Sequence, residues 1–292
     1  MHRSGRYLIV GCGYVGTRLA TRLLAAAPVV ALTRSAASAA ALVAGGIDAS
    51  AWDLDATGRA PPLAAKAATV LYLAPPPPDG ATDPRVAAFL AALPAMPTRF
   101  VYLSTTGVYG DAGGDLVDEA SPPNPSTERA RRRADAEQRV AAWAAANGVP
   151  HTILRVPGIY GPGRLPLERL RRGEPVIRHA EAGYSNRIHV DDLVEALVLA
   201  ATVPAAVGRT YNVTDGNTAT MTEYFERVAA LAGLPAPTLI SRAEAERRLS
   251  PGLMSFLAES RRIDSGRIRR ELGFSPRFAD LRLGILSCLP PP

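Results

Sequence analysis

Gly11, Cys12, Gly13, Tyr14, Val15 and Gly16 follow the apolar run Tyr7-Leu8-Ile9-Val10 without a break. Val15, Leu19 and Leu23 then recur at helical spacing. Strand, glycine turn and helix in this order form a cradle for a dinucleotide pyrophosphate. Gly11 permits the tight turn, Gly13 lets the backbone approach the phosphates, and Gly16 lets the helix pack closely on the strand. The helix start turns free N–H groups and a positive dipole end toward the anion. The next stretch, Ala31-Leu32-Thr33-Arg34-Ser35, bears on which dinucleotide is held. An NAD site places a carboxylate there, yet the first carboxylate is Asp48. Thr33, Arg34 and Ser35 offer donors instead, and a guanidinium clamps a 2′-phosphate through paired, charge-assisted hydrogen bonds. The pattern predicts NADP in preference to NAD. Asp53, in Trp52-Asp53-Leu54, is placed to face the adenine amino group.

The elements that must position these residues follow from the apolar pattern. Short apolar runs predict strands near 7–10, 28–32, 69–73, 100–103 and 152–156. Helical patterns fall at 15–26, 36–44, 83–93 and 126–147. Alternating strands and helices imply an α/β fold, a Rossmann-type doubly wound parallel sheet with ligands at the carboxyl ends of its strands. Pro75–Pro78 continue neither ladder nor helix and make a stiff turn at that ligand edge. Past residue 157 the alternation loosens, with helices at 191–202 and from about Thr222. The expected division is a nucleotide domain over 1–157, interleaved with later segments including 188–214, and a smaller C-terminal substrate lobe over 158–292.

Composition narrows the function classes. With 292 residues and 47% hydrophobic content, the chain has material for a sizeable core, and no apolar run reaches the length of a membrane span. Only two cysteines, Cys12 and Cys288, are present, so no disulfide framework is indicated and a cytoplasmic location is expected. No zinc spacing exists, and no metal site is predicted. The net charge of +6 comes almost entirely from arginine, since Lys66 is the single lysine. The run Arg131–Arg133 lies among Glu128, Asp135 and Glu137 and reads as a solvated helix face. Without a helix-turn-helix, zinc or base-stacking pattern, nucleic acid is not an expected partner. The expected partners are a small-molecule substrate and the cofactor, and the helices at 83–93 and 126–147 offer a face for a homodimer.

Later motifs bear a family resemblance. Leu103-Ser104-Thr105-Thr106-Gly107-Val108-Tyr109-Gly110, Leu154-Arg155-Val156-Pro157-Gly158-Ile159-Tyr160-Gly161-Pro162-Gly163, Arg187-Ile188-His189-Val190-Asp191-Asp192-Leu193, Tyr211-Asn212-Val213-Thr214-Asp215-Gly216 and Glu271-Leu272-Gly273-Phe274-Ser275-Pro276 occur in this order. They resemble the extended short-chain dehydrogenase/reductase superfamily, its NAD(P)-dependent epimerase/dehydratase group. The resemblance implies cofactor contacts from Leu54, Ala74, Pro75, Pro76, Ser104, Arg133, Pro157, Gly158 and Ile159 besides the glycine turn. It implies substrate contacts from Thr106, Tyr160 and Arg187.

The departures from that family matter as much. Its machinery is a Ser/Thr with a Tyr and a Lys one helical turn apart, the lysine helping the phenol to act as acid and base. Thr105 retains the first. Aligning Ala136-Glu137 with the family's usual pair puts Arg129 and Arg133 at the Tyr and Lys positions, and no Tyr-x-x-x-Lys exists anywhere in the chain. A guanidinium stays protonated and cannot replace a phenol. Thr105, Tyr109, Arg129 and Arg133 are therefore the catalytic candidates of an atypical subgroup. Asp111 and Glu128 are nearby carboxylates. His189 reads as packing, and Asp191-Asp192 as an N-cap and first-turn acid. Gly158 stands where sugar-nucleotide epimerases commonly carry an asparagine. Two functions follow: an oxidoreductase or epimerase-like enzyme with an altered proton relay, acting on a small carbonyl or sugar-nucleotide-like substrate, or a non-catalytic dinucleotide-binding redox sensor.

Overall fold

A computed structural model describes residues 5–56, 61 and 68–290, so Lys66 lies outside the described residues. The chain opens with β1 (Arg6–Val10), α1 (Tyr14–Leu24), β2 (Val29–Thr33), α2 (Ala36–Ala44) and β3 (Asp48–Ala51). It continues with β4 (Ala68–Tyr72), α3 (Pro84–Ala91), β5 (Arg99–Thr105) and α4 (Glu128–Asn147). Strands His151–Val156 and Arg209–Asn212 complete a seven-stranded parallel sheet. Its order is Arg209–Asn212, His151–Val156, β5, β4, β1, β2, β3. The order reverses between β1 and β4, and a doubly wound sheet opens its ligand crevice at such a reversal.

Both faces of the sheet are covered, which explains why its inner strands read as nearly continuous apolar runs. Ile9, Leu71, Val101, Leu103 and Leu154 face α1 and the helix Val190–Thr202. Leu8, Val70, Tyr72, Phe100 and Tyr102 face α3 and α4. Period-two alternation thus sends neighbouring apolar residues into two different cores.

The smaller lobe has its own core of Tyr160, Leu170, Val176, Tyr224, Phe225, Val228, Leu281 and Ile285. It does not hold all of 158–292. The strand Arg209–Asn212 enters the main sheet, and Ile268, Leu272 and Phe274 pack under it with the helix Val190–Thr202. The chain therefore crosses back to the nucleotide layer more than once, further than the 188–214 segment alone.

The solvated-face reading of Arg131–Arg133 needs correction. Only Arg131 is exposed. Arg132 is buried and donates to the Gly80 carbonyl at 2.5 Å. Arg133 turns inward to the Leu103 carbonyl and the Tyr102 hydroxyl. Backbone acceptors near the strand ends draw these two guanidiniums in.

Candidate active site

The glycine turn sits at the sheet's reversal point. Gly11 and Cys12 both donate to the Leu32 carbonyl, at 3.0 and 2.9 Å. Gly11 has φ +82°, and a Cβ there would lie 2.5 Å from both Cα and N of Ala74. A Cβ on Gly16 would meet Cys12 Sγ and the Gly11 carbonyl at 3.3 Å. A Cβ on Gly13 would meet nothing within 4 Å, so this position borders open space in the groove. Side chains cap α2, α3 and α4, from Ser35, Asp83 and Thr127. No side chain caps α1, whose first-turn N–H groups stay available to an anion. This cradle suits a dinucleotide pyrophosphate.

A groove runs from the turn past Thr33, Arg34, Ser35 and Ser38 to Trp52, Asp53, Leu54, Ala74, Pro75 and Arg85. Several expected contacts are not side-chain contacts in it. Tyr14 points away, its hydroxyl donating to the Pro162 carbonyl at 3.0 Å, and Val15 belongs to the core under the sheet. Cys12 does line the turn end of the groove, though it is largely buried, which pushes its thiol up to about 11. Pro76 serves as a carbonyl acceptor for Arg85. Ser104 is buried and donates to Glu137 at 2.5 Å, inside an ion pair between Glu137 and Arg155.

Beyond the ends of β5 and His151–Val156 lies a cleft of about 350 Å³. Thr105, Thr106, Arg129, Pro157, Gly158, Ile159, Tyr160 and Arg187 all line it, so these expected residues are brought together. Thr105 Oγ1 accepts from the Gly107 amide at 3.1 Å, which leaves its hydroxyl proton free to donate. Arg129 lies over the Phe256 ring at 3.6 Å, and burial lowers its pKa.

Two catalytic expectations are corrected by position. Tyr109 is buried, donates to Asn212 Oδ1 at 2.9 Å and carries Arg155 over its ring at 4.8 Å; it does not border the cleft. Arg133 borders neither groove nor cleft, because its Nη1 is held by the Leu103 carbonyl at 3.0 Å and the Tyr102 hydroxyl at 3.2 Å. Asp111 serves backbone, accepting from Ser260 N at 2.7 Å, and Glu128 is exposed beside Arg132. The cap of the helix Val190–Thr202 is also different from expectation. His189 Nδ1 accepts from the Asp191 amide at 3.2 Å, while Asp192 is buried and accepts from the Arg277 and Phe278 amides. Asp192 thus pins the C-terminal segment.

Sequence reasoning missed Arg164, Arg169, Tyr224, Phe256, Glu259 and Arg261, which also line the cleft. Ion pairing neutralises Arg261 with Glu259 at 2.8 Å and Arg169 with Glu174 at 2.6 Å. Arg129, Arg164 and Arg187 lie instead over Phe256, Tyr14 and Tyr224, at 3.6, 4.1 and 3.7 Å, and form no ion pair among the described residues. Arg187 is buried, and burial pushes its guanidinium down to about 10. The cleft is therefore cationic.

Behind Arg187, Asp215 is buried with Oδ1 accepting from the Asn217 amide at 2.8 Å and Oδ2 without a partner. Burial pushes its carboxyl up to about 6 from 3.8. The folded state then binds this proton more tightly than the unfolded chain does. The resulting stabilisation is present at acid pH and is lost as pH rises from about 4 to about 6. In urea unfolding, the wild type should lose stability relative to Asp215→Asn across that window. A difference between the two that does not change with pH contradicts the shift.

The model of the NAD dependent epimerase/dehydratase family matches residues 84–214. Protein YeeZ of Escherichia coli K12 is 30% identical over 185 residues, covering 62% of this chain and 59% of YeeZ. The chain spans a little over half the length of the curated relatives it matches. Among solved structures, a functionally unknown conserved protein from Silicibacter pomeroyi DSS is 31% identical, with TM-score 0.83 and 98% of each chain covered. MoeE5 in complex with UDP-glucose and NAD is 26% identical, with TM-score 0.72 and 97% of each chain covered. Among the described residues, no helix is long and apolar enough to cross a membrane.

The NADP expectation is overturned, since MoeE5 holds NAD. The local chemistry shows why the donors after β2 misled. Thr33 spends its hydroxyl on the Ser35 carbonyl at 3.1 Å, and Ser35 Oγ caps α2. Arg34 is close enough to Asp55 to help lower that carboxyl's pKa, behind the larger effect of Arg85. Asp55 is paired with Arg85, and Asp53 is the carboxylate of the groove that offsets Arg34.

Proposed function

The chain belongs to the NAD-dependent epimerase/dehydratase family, and from that premise we propose that it is an NAD-dependent oxidoreductase or epimerase-like enzyme. Its substrate is an anionic small molecule bearing a hydroxyl or carbonyl group. The observation that carries this reading is the succession, along one sheet edge, of an open glycine cradle and a cleft with three arginines that form no ion pair among the described residues.

The first-turn N–H groups of α1 and the backbone at Gly13 would hold the pyrophosphate, with Trp52, Asp53 and Leu54 beside the adenosine half. Bound NAD supplies a hydride acceptor, and its reduced form a donor. Thr105 donates its hydroxyl proton to the substrate oxygen and orients it. Arg187, with Arg129 and Arg164, holds the anionic end. Glu259 is the one carboxylate among the cleft's lining residues, fixed by Ser126 Oγ at 2.5 Å and by Arg261. With both oxygens engaged it fixes Arg261 at the rim of the cleft, and the proton relay of the missing phenol is not rebuilt by it.

A second reading, a dinucleotide-binding sensor without turnover, is favoured by one observation. Arg133, at the family's lysine position, is committed to the Leu103 carbonyl and Tyr102. Transfer of deuterium from labelled NADH to an anionic metabolite tests the enzyme reading. Label in a product is expected, and bound cofactor with no transfer supports the sensor.

A further inference from the structure

Arg85 stands in the first turn of α3, and its mounting is rigid. Pro84 precedes it, and the buried Asp83 caps the helix by accepting from the Arg85 and Val86 amides at 3.0 and 3.3 Å. The Asp83 amide in turn donates to Asp135 of α4 at 2.8 Å. From this base the Arg85 side chain reaches two loops at once. Its Nε donates to Asp55 Oδ1 at 2.6 Å, and Nη2 donates to Asp55 Oδ2. Its Nη1 donates to the carbonyls of Pro75 and Pro76 at 2.9 and 3.1 Å.

The two loops belong to different strands. The Asp55 loop follows β3 and carries Trp52, Asp53 and Leu54, while the Pro75 loop follows β4 and carries Ala74. Both line the cofactor groove. Nothing in the sheet ties them together, because β2 and β1 stand between β3 and β4. The Arg85 side chain is only 11% exposed, against 45% for Asp55. A buried fork with a planar, fixed geometry therefore spans the gap, a task that a point charge on a flexible stem does not perform equally.

We propose that Arg85 is a positioning residue for the dinucleotide, a latch that with Asp55 fixes the walls receiving the adenosine half. This rests on the reading of the groove as the NAD site. Pre-setting the walls spares the ligand the ordering cost of two loops. The effect follows from geometry and not from net charge, and that distinction makes it testable.

The experiment measures NAD and AMP binding by calorimetry for the wild type, Arg85→Gln, Arg85→Lys and Asp55→Asn. Thermal unfolding of each ligand-free protein serves as the folding control. Arg85→Gln removes a positive charge and Asp55→Asn a negative one. Both should nevertheless weaken NAD and AMP by about tenfold, with Arg85→Lys between them and the wild type. Opposite shifts in the two variants would mean that charge, not position, governs the groove, and would overturn the latch. Wild-type affinity in Arg85→Gln would overturn it equally. A wild-type protein that binds neither NAD nor AMP fails the groove reading itself, which separates the two failures.

Discussion

Gly13→Ala should leave the protein folded and remove most of its affinity for NAD. The added methyl meets no protein atom within 4 Å, so packing does not resist it. Alanine is a poorer helix N-cap than glycine, which costs about 1 kcal/mol or less. The same methyl stands in the groove where the pyrophosphate must approach backbone. A displaced phosphate loses the short N–H contacts at the start of α1, and a loss of about 100-fold in Kd, or about 2.8 kcal/mol, is expected. Gly11→Ala is the contrasting case. Its methyl would stand 2.5 Å from the backbone of Ala74 at a φ of +82°, so that variant should lose stability as well as binding. Calorimetry and urea unfolding of both variants check the pair. A Gly13→Ala protein that binds NAD like the wild type would remove the phosphate from this turn.

Arg187→Met should weaken anion binding without weakening the fold. A charge held in a buried cleft against an anion is worth several kcal/mol to binding, so inorganic phosphate should bind NAD-saturated protein at least about tenfold more weakly. Stability should move the other way or not at all. Among the described residues Arg187 has only Ser185 and Met221 as hydrogen-bond partners and no ion pair, besides its contact with the Tyr224 ring, which an apolar side chain can keep in part. Its pKa, pushed down to about 10, records a folded state that holds the charge at a cost. Replacing the guanidinium with an apolar side chain relieves that cost, as expected where function needs a group that folding does not. A lower urea midpoint with unchanged phosphate affinity would make Arg187 a structural residue.

The sheet was largely legible in the chain because its inner strands are buried on both faces. Phe100, Val101, Tyr102 and Leu103 are all buried, so every residue of the run is apolar. The edge strand β3, Asp48-Ala49-Ser50-Ala51, leaves no apolar run in the chain, since a half-exposed edge needs no large apolar side chain. The glycine turn was legible because backbone geometry restricts the residue type at Gly11. The cleft was legible only in part. Thr105 and Arg187 lie in recognisable motifs, whereas Phe256, Glu259 and Arg261 arrive from a distant segment. No local spacing links that segment to α4. Arg133 misled because helical position fixes where a side chain starts and not which acceptor it finds. The Leu103 carbonyl and Tyr102 hydroxyl outcompete the cleft for it. Tyr109 misled in the same way, its hydroxyl taken by Asn212.

The central claim is that an NAD enzyme operates here without the usual tyrosine and lysine. The most direct measurement follows the hydride. The protein is loaded with NADH deuterated at its transferable position, mixed with a metabolite extract, and the products are read by mass spectrometry. Cofactor occupancy is measured in the same sample. The account predicts a protein-dependent deuterated product that is anionic, and its loss in Arg187→Met. Full occupancy with no deuterium in any metabolite would contradict it and leave a dinucleotide-binding protein whose business is with partners.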